Sequence, residues 1–395
     1  MPFRGNNPSG RCRRRTVRFE WKWKLIPLQR AEEETIVQNV SVAVIPGDGI
    51  GNETVRAGRR VLDAAAELDG GIKFEYTEFE WGCAYYLRHG EMAPKGFLNT
   101  LANFDTILLG AVGYPGVPDH VSLWGLLLPI RRGFEQYVNL RPVRILRGVV
   151  SPLRGRNPGD VNFVCIRENT EGEYSNMGGR LHAGLPHEVV VQNTVFTRVG
   201  TERIIRYAYQ LAANAPRKRL CGATKSNGIN YTMPYWDEIF NEIGEREFPE
   251  VNRWLCHIDA LAANFVLKPD EFDVVVASNL FGDILTDLGG AIMGSIGMAA
   301  SANINPERRY PSMFEPVHGS APDIAGRGIA NPVGQIWSVS LMLEHLGRAD
   351  LGKAVLDAVE DVLEEGRVRT PDLGGRNTTD EMTDAVIARL AQRLR

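Results

Sequence analysis

Asp283 and Asp287 stand four residues apart in Ser278-Asn279-Leu280-Phe281-Gly282-Asp283-Ile284-Leu285-Thr286-Asp287. On a helix, that spacing puts both carboxylates on one face, about one turn apart. Like charges so placed repel, and something cationic must offset them. On an exposed face, solvent suffices. Here the neighbours Leu280, Phe281, Ile284, Leu285 and Leu288 are apolar, which predicts a buried pair and a hard divalent cation, Mg²⁺ or Mn²⁺. Asp259, in His257-Ile258-Asp259-Ala260, offers a third oxygen ligand. Arg131, Arg132, Arg141 and Arg167 each read as surface residues when taken singly; if they converge, they can clamp carboxylates bidentately. Tyr174 and Lys225 are residue types that carry protons when buried near a metal, and simple packing or a surface charge is the alternative for either.

These groups need a scaffold, and the sequence outlines one. Val40-Ser41-Val42-Ala43-Val44-Ile45 is a buried-strand run closed by Pro46-Gly47. A helix follows, with Val55, Leu62, Ala65 and Ala66 at helical spacing. Further strands are expected at residues 106–109, 161–166 and 273–277, and a helix at 201–214 with Ile204, Ile205, Ala208 and Leu211 on one face. Thr378 and Glu381 have capping-box spacing for a last helix. Strands alternating with helices define an α/β protein. Gly47-Asp48-Gly49-Ile50-Gly51 imitates a dinucleotide-binding turn, but Asn52 occupies the place of the third glycine that lets helix and strand pack closely. The expectation is therefore a tight strand-to-helix turn and a non-Rossmann fold.

At 395 residues the chain exceeds one ordinary core, so two domains are expected. A net charge of -3 gives no electrostatic case for nucleic acid or a membrane surface as partner. Five cysteines, none in a C-x-x-C pair, read as reduced thiols of a cytoplasmic protein. Residues 1–38 stand apart as a basic tail, with Arg4, Arg11, Arg13, Arg14, Arg15 and Arg18 ahead of the first acid, Glu20. A disordered extension is the simpler reading, and a mitochondrial transit peptide is the alternative.

Several separated motifs in order make the chain resemble the β-decarboxylating dehydrogenases, the isocitrate and isopropylmalate dehydrogenase family. They are Ile45 to Gly51, Asn139-Leu140-Arg141-Pro142, Asn279 to Asp287, and Phe314-Glu315-Pro316-Val317-His318-Gly319-Ser320-Ala321-Pro322-Asp323-Ile324-Ala325-Gly326. Within the family, residues 117–132, 167–174 and 224–228 look most like the tartrate and D-malate branch. The resemblance implies an isopropylmalate-dehydrogenase-like fold, with two α/β domains sharing a mixed sheet. Residues 39–136 plus 294–395 would bind the cofactor, and residues 137–293 would carry substrate, metal and dimer contacts. It also implies roles. Arg131, Arg141 and Arg167 would hold the malate-like part of a diacid. Tyr174 would protonate the product carbon and Lys225 would manage the hydroxyl proton. Asp259, Asp283 and Asp287 would bind Mg²⁺ or Mn²⁺, with K⁺ as an optional further cation. Lys225 and Asp259 would reach the site from the neighbouring subunit of a homodimer. His318, Gly319, Ser320, Ala321, Asp323 and Asn331 would hold NAD, and the Asp323 carboxylate would repel the extra phosphate of NADP.

The chemistry implied is oxidation of a 2-hydroxy diacid followed by loss of CO₂ from the β-keto acid. Isocitrate enzymes carry a serine and an asparagine where this chain has Gly125 and Leu127, which disfavours isocitrate. Leu127 and Leu128 suit 3-isopropylmalate, but Trp124 and Gly228 depart from the glutamate and valine usual in those enzymes. Tartrate or D-malate is therefore the expected substrate and 3-isopropylmalate the runner-up. Two readings from other classes are a non-catalytic regulatory subunit, which Tyr174, Lys225 and the three aspartates speak against, and nucleic-acid binding through the basic tail.

Overall fold

The computed structural model describes residues 37–394, so all but the last two residues of the basic stretch 1–38 lie outside it, as does Cys12. In chain order the strands are β1 (Gln38–Gly47), β2 (Ile72–Glu78), β3 (Thr106–Ala111), β4 (Val138–Arg144), β5 (Asn162–Glu168), β6 (Gly178–Leu181), β7 (Val189–Gln192), β8 (Arg219–Thr224), β9 (Asn252–His257), β10 (Val274–Ala277), β11 (Ala300–Ile304) and β12 (Ser312–Pro316). Ten of them form one mixed sheet in the order β2-β1-β3-β12-β11-β4-β5-β10-β8-β9. Both flanks of the sheet are parallel, and the central pairs β12–β11, β11–β4 and β4–β5 are antiparallel. The remaining strands, β6 and β7, make a separate antiparallel hairpin.

Alternation along β1 explains why residues 42–45 are apolar at every position. Val40, Val42 and Val44 enter the large core, while Ala43 and Ile45 point to a second core with Trp81, Leu101, Ile107 and Leu109. A strand covered on both faces needs apolar residues at every position, each contributing about 1.5–3 kcal/mol when fully buried for the larger side chains. The following helix, Gly51–Asp69, buries Val55, Leu62 and Ala65 and stops at Gly70, whose φ of 70° only glycine adopts without strain. The turn before it requires glycines for a different reason. Gly47 and Gly49 have φ of 71° and 56°, and a Cβ on Gly49 would lie 2.0 Å from the Ser320 carbonyl oxygen. This is the tight strand-to-helix turn expected, pressed against the loop after β12.

The Asn139-Leu140-Arg141-Pro142 motif lies on β4, where a proline is unusual in a central strand. Pro142 is tolerated because β11 pairs only with residues 138–140, so no ladder partner on that side needs its missing N–H. The last helix, Thr379–Leu394, begins with the expected capping box. The Thr378 N–H donates to Glu381 Oε2 at 2.7 Å, and the Glu381 N–H donates to Thr378 Oγ1 at 3.1 Å. No helix among the described residues is long and apolar enough to cross a membrane.

Candidate functional site

Antiparallel register brings two of the three arginines together. On β4 and β5, Asn139 is opposite Arg167, and Arg141 is two residues further along β4, so Arg141 and Arg167 share a face of the sheet. Arg131 arrives from the short helix Leu128–Gly133. All three are buried, at 5%, 6% and 2% exposure. The helix Asn279–Ile292 lies across them, and Gly282 permits the approach, since a Cβ there would sit 2.6 Å from the Arg167 Cβ.

Asp283 is the hub. Its Oδ1 pairs with Arg167 Nη1 and lies 3.4 Å from Arg141 Nη1, while its Oδ2 accepts a 2.9 Å hydrogen bond from the Tyr174 hydroxyl. Arg141 Nη1 also donates to Thr286 Oγ1 at 2.6 Å and lies 4.0 Å from Asp287 Oδ1. Arg131 Nη2 pairs with Glu315 Oε1 at 2.7 Å. Asn279 fastens the start of the helix: its Oδ1 accepts from Arg167 Nε at 3.1 Å and from Nη2 at 2.8 Å. Glu173 reaches the same end, where its carboxylate accepts from Ser278 Oγ at 2.8 Å and from the Leu280 N–H at 3.0 Å. A carboxylate at a helix N-terminus satisfies otherwise free N–H groups and suits the local dipole.

Protonation follows from this geometry. Burial and the adjacent Asp283 charge push the Tyr174 phenol above its ordinary range, so it keeps its proton at neutral pH. Burial alone would raise Asp283, but Arg167, Arg141 and the Tyr174 hydrogen bond outweigh it and hold the carboxyl below the usual range. Asp287 moves the other way, through burial and then repulsion by Asp283. Burial lowers Arg167, and the Arg141 charge adds to that shift. Three buried guanidiniums repel one another beside Asp283 and Glu315, and Arg131 Nε and Arg141 Nε are buried without a hydrogen-bond partner, an arrangement that fits a bound anion.

The aspartate pair differs from expectation in one respect. Its apolar neighbours predicted burial, yet the Asp283 and Asp287 side chains are 33% and 60% exposed and Ile284 is 54% exposed. Leu285 and Phe281 face the core, and the Asp283–Asp287 face lies at the rim, open on one side. Lys225 and Asp259 pair with each other at 2.9 Å, on the loop after β8 and on the helix after β9, with the Asp259 side chain 67% exposed. Among the described residues of one chain, no group of three acidic, histidine or cysteine side chains is gathered tightly enough to hold a metal ion. Asp283 and Asp287 fit a hard cation as oxygen donors that repel one another, and their open side leaves room for further ligands.

The loop after β12 presents the other predicted set. His318 is buried, with Nδ1 3.0 Å from the Gly319 carbonyl oxygen and Nε2 without a partner. Burial keeps the ring neutral, and the Nδ1 contact assigns the proton there, leaving Nε2 as an acceptor. Ser320 accepts the Ile50 N–H at 2.8 Å, Ala321 has φ of 40°, and Asp323 is exposed. Both polar ends of Asn331 are engaged within the protein, with Asp372 at 2.8 Å and the Val333 N–H at 3.0 Å. The orphaned acceptor on His318 fits the donor edge of a nucleotide cofactor. Glu315, Asn279, Thr286 and Glu173 were not singled out from sequence, although all four lie inside the quoted motifs; polar residues beside a predicted ligand were the available signal.

The site thus combines a mixed α/β sheet with three buried arginines that face the Asp283–Asp287 side of one helix. Comparison with known proteins makes the class specific. The isocitrate/isopropylmalate dehydrogenase family model matches residues 41–386, and the chain belongs to that family. It is 54% identical over 355 residues to a probable tartrate dehydrogenase/decarboxylase of Bacillus subtilis (strain 168), covering 90% of this chain and 99% of that one. It is 53% identical to a D-malate dehydrogenase (decarboxylating) of Escherichia coli (strain K12), covering 89% and 98%. The solved isocitrate dehydrogenase of Methylococcus capsulatus superposes with a TM-score of 0.80 at 34% identity, over 89% of this chain and all of that one.

Proposed function

We propose that the protein oxidises and decarboxylates a small 2-hydroxy diacid, tartrate or D-malate, using NAD and Mg²⁺ or Mn²⁺. The observation that carries this reading is the convergence of Arg131, Arg141 and Arg167 on the Asp283–Tyr174 pair. The arginines hold the two carboxylates and fix which carbon faces the cofactor. The His318–Asn331 loop would hold NAD, which would supply the hydride acceptor, and Asp283 and Asp287 would hold a divalent cation, which would offset charge on the substrate oxygen. Lys225, supplied by a second copy, is the group that manages the hydroxyl proton. After CO₂ departs, Tyr174 delivers its proton to the enolate carbon, and its raised pKa keeps that proton available.

Residues 39–136 with 294–395 form the cofactor half and residues 137–293 the substrate half, meeting where β11 pairs with β4. A homodimer accounts for the exposed Lys225–Asp259 pair, which would face the Asp283 of the other copy. The β6–β7 hairpin supports the same arrangement, because Leu181, Val189, Val190 and Val191 are exposed on it. Leu127 and Leu128, the candidate isopropyl contacts, are buried, and Leu127 belongs to the second core, which favours the smaller diacids. A cytoplasmic location is part of this proposal, supported by the free cysteines Cys83, Cys165, Cys221 and Cys256. Turnover of D-malate, tartrate, 3-isopropylmalate and isocitrate with Mn²⁺ and NAD tests the reading: the first two should be oxidised, and activity on 3-isopropylmalate alone would refute it.

A further inference from the structure

Arg131 and Arg132 are sequence neighbours with opposite duties. Arg131 turns into the anion patch. Arg132 turns the other way and donates from Nη2 to the Tyr174 carbonyl oxygen at 2.6 Å. Its guanidinium lies over the Trp124 ring, 4.6 Å from the centroid. Burial pushes Arg132 below the usual guanidinium range, opposed by the charge of Glu168, yet it makes no ion pair among the described residues. A half-buried cation sustained by a carbonyl and an aromatic face is costly unless its position matters.

Beside the segment that carries Tyr174 lies an open surface depression, lined in part by Thr170, Glu171, Ser175, Asn176 and Arg132 itself. Hydrogen bonds hold this loop on both sides of Tyr174, where Gly172 pairs with Val195, Asn279 donates to the Glu171 carbonyl, and Ser175 bonds Asn193 and Gln192; at Tyr174 itself the side-chain donor to the carbonyl is Arg132. Glu173 ties it to the helix Asn279–Ile292, and Arg132 ties it to the helix Leu128–Gly133. Trp124 belongs to the π-helical turn Leu123–Leu127, the stretch just before Arg131.

We propose that Arg132, clamped by Trp124, is a positioning residue that fixes the Tyr174 hydroxyl for enolate protonation and links the helix of Arg131 to the proton donor. This rests on the reading of Tyr174 as the proton donor. It makes Trp124 part of the specificity machinery: a change in the segment before Arg131 reaches Tyr174 through one guanidinium.

The test uses full-length wild type, Arg132→Leu, Arg132→Lys and Trp124→Leu with Mn²⁺, NAD and D-malate. Arg132→Leu should lower kcat about 10- to 100-fold with KM within about threefold, because the carboxylate clamps are untouched. Its solvent deuterium isotope effect on kcat should rise, as protonation becomes rate-limiting. Trp124→Leu and Arg132→Lys should fall between the two. Hydrogen exchange of the protein without substrate supplies an activity-free readout: residues 170–177 should exchange faster in Arg132→Leu, and residues 279–292 should not. An unchanged isotope effect, or unchanged exchange at 170–177, overturns the proposal. If wild type oxidises no diacid, the functional reading fails instead, while the exchange result still decides whether Arg132 holds the loop.

Discussion

Tyr174→Phe removes one oxygen from the centre of the proposed site. That oxygen donates at 2.9 Å to Asp283 Oδ2 and makes no hydrogen bond to Arg131, Arg141 or Arg167. Asp283 keeps Arg167 and Arg141 as partners, and its open side admits water, so the stability cost should be about 1 kcal/mol. The catalytic cost should be larger and confined to one step. A positioned general acid contributes about 10²–10⁴-fold, so enolate protonation should slow by that factor while hydride transfer stays near the wild-type rate. Single-turnover kinetics on D-malate with NAD and Mn²⁺ separate the two: NADH absorbance reports oxidation, and rapid quench reports the decarboxylated acid. The expected outcome is a near-normal NADH burst followed by delayed product. Wild-type rates for both would refute the assignment, and an equal loss of both would make the hydroxyl part of the oxidation step.

Gly49→Ala should loosen the cofactor loop. Its Cβ would strike the Ser320 carbonyl oxygen at 2.0 Å, and the positive φ adds about 1–2 kcal/mol of strain, so NAD binding measured by calorimetry should weaken at least about tenfold; unchanged affinity would detach that loop from the cofactor. His345 should shape acid stability. Burial first, then the Arg308 charge, pushes its pKa down to about 3, below the unfolded value near 6.5. Its contribution is thus fully present above pH 6.5 and is lost as pH falls from there toward 3. Between pH 6.5 and 5 the loss is about 2 kcal/mol, and urea midpoints at the two pH values should differ less in His345→Gln than in wild type.

Local patterns carried much of the fold. The apolar run at Val40, the spacing of Val55, Leu62 and Ala65, and the Thr378–Glu381 box depend on near neighbours, and each appears where its pattern placed it. The strand β4 was invisible because Pro142 argues against a central strand, and only the sheet order shows why it is tolerated. Likewise, nothing local says that Arg131, Arg141 and Arg167 meet, since their shared face arises from the β4–β5 register and a helix arriving from elsewhere. The apolar neighbours of Asp283 misled for a related reason: one helix carries both a core face and a rim face, and Ile284 shares the rim. The orientation of Arg132 toward Tyr174 has no signature in sequence, because two adjacent arginines look alike there.

Asp283 is proposed to anchor a divalent cation opposite the arginine cluster. Mn²⁺ titration followed by electron paramagnetic resonance, on wild type and on Asp283→Asn checked for an intact thermal transition, addresses it directly. Wild type should bind Mn²⁺ stoichiometrically, and the folded variant should bind at least about 100-fold more weakly. Equal affinity in the two proteins would place the cation elsewhere and contradict the account.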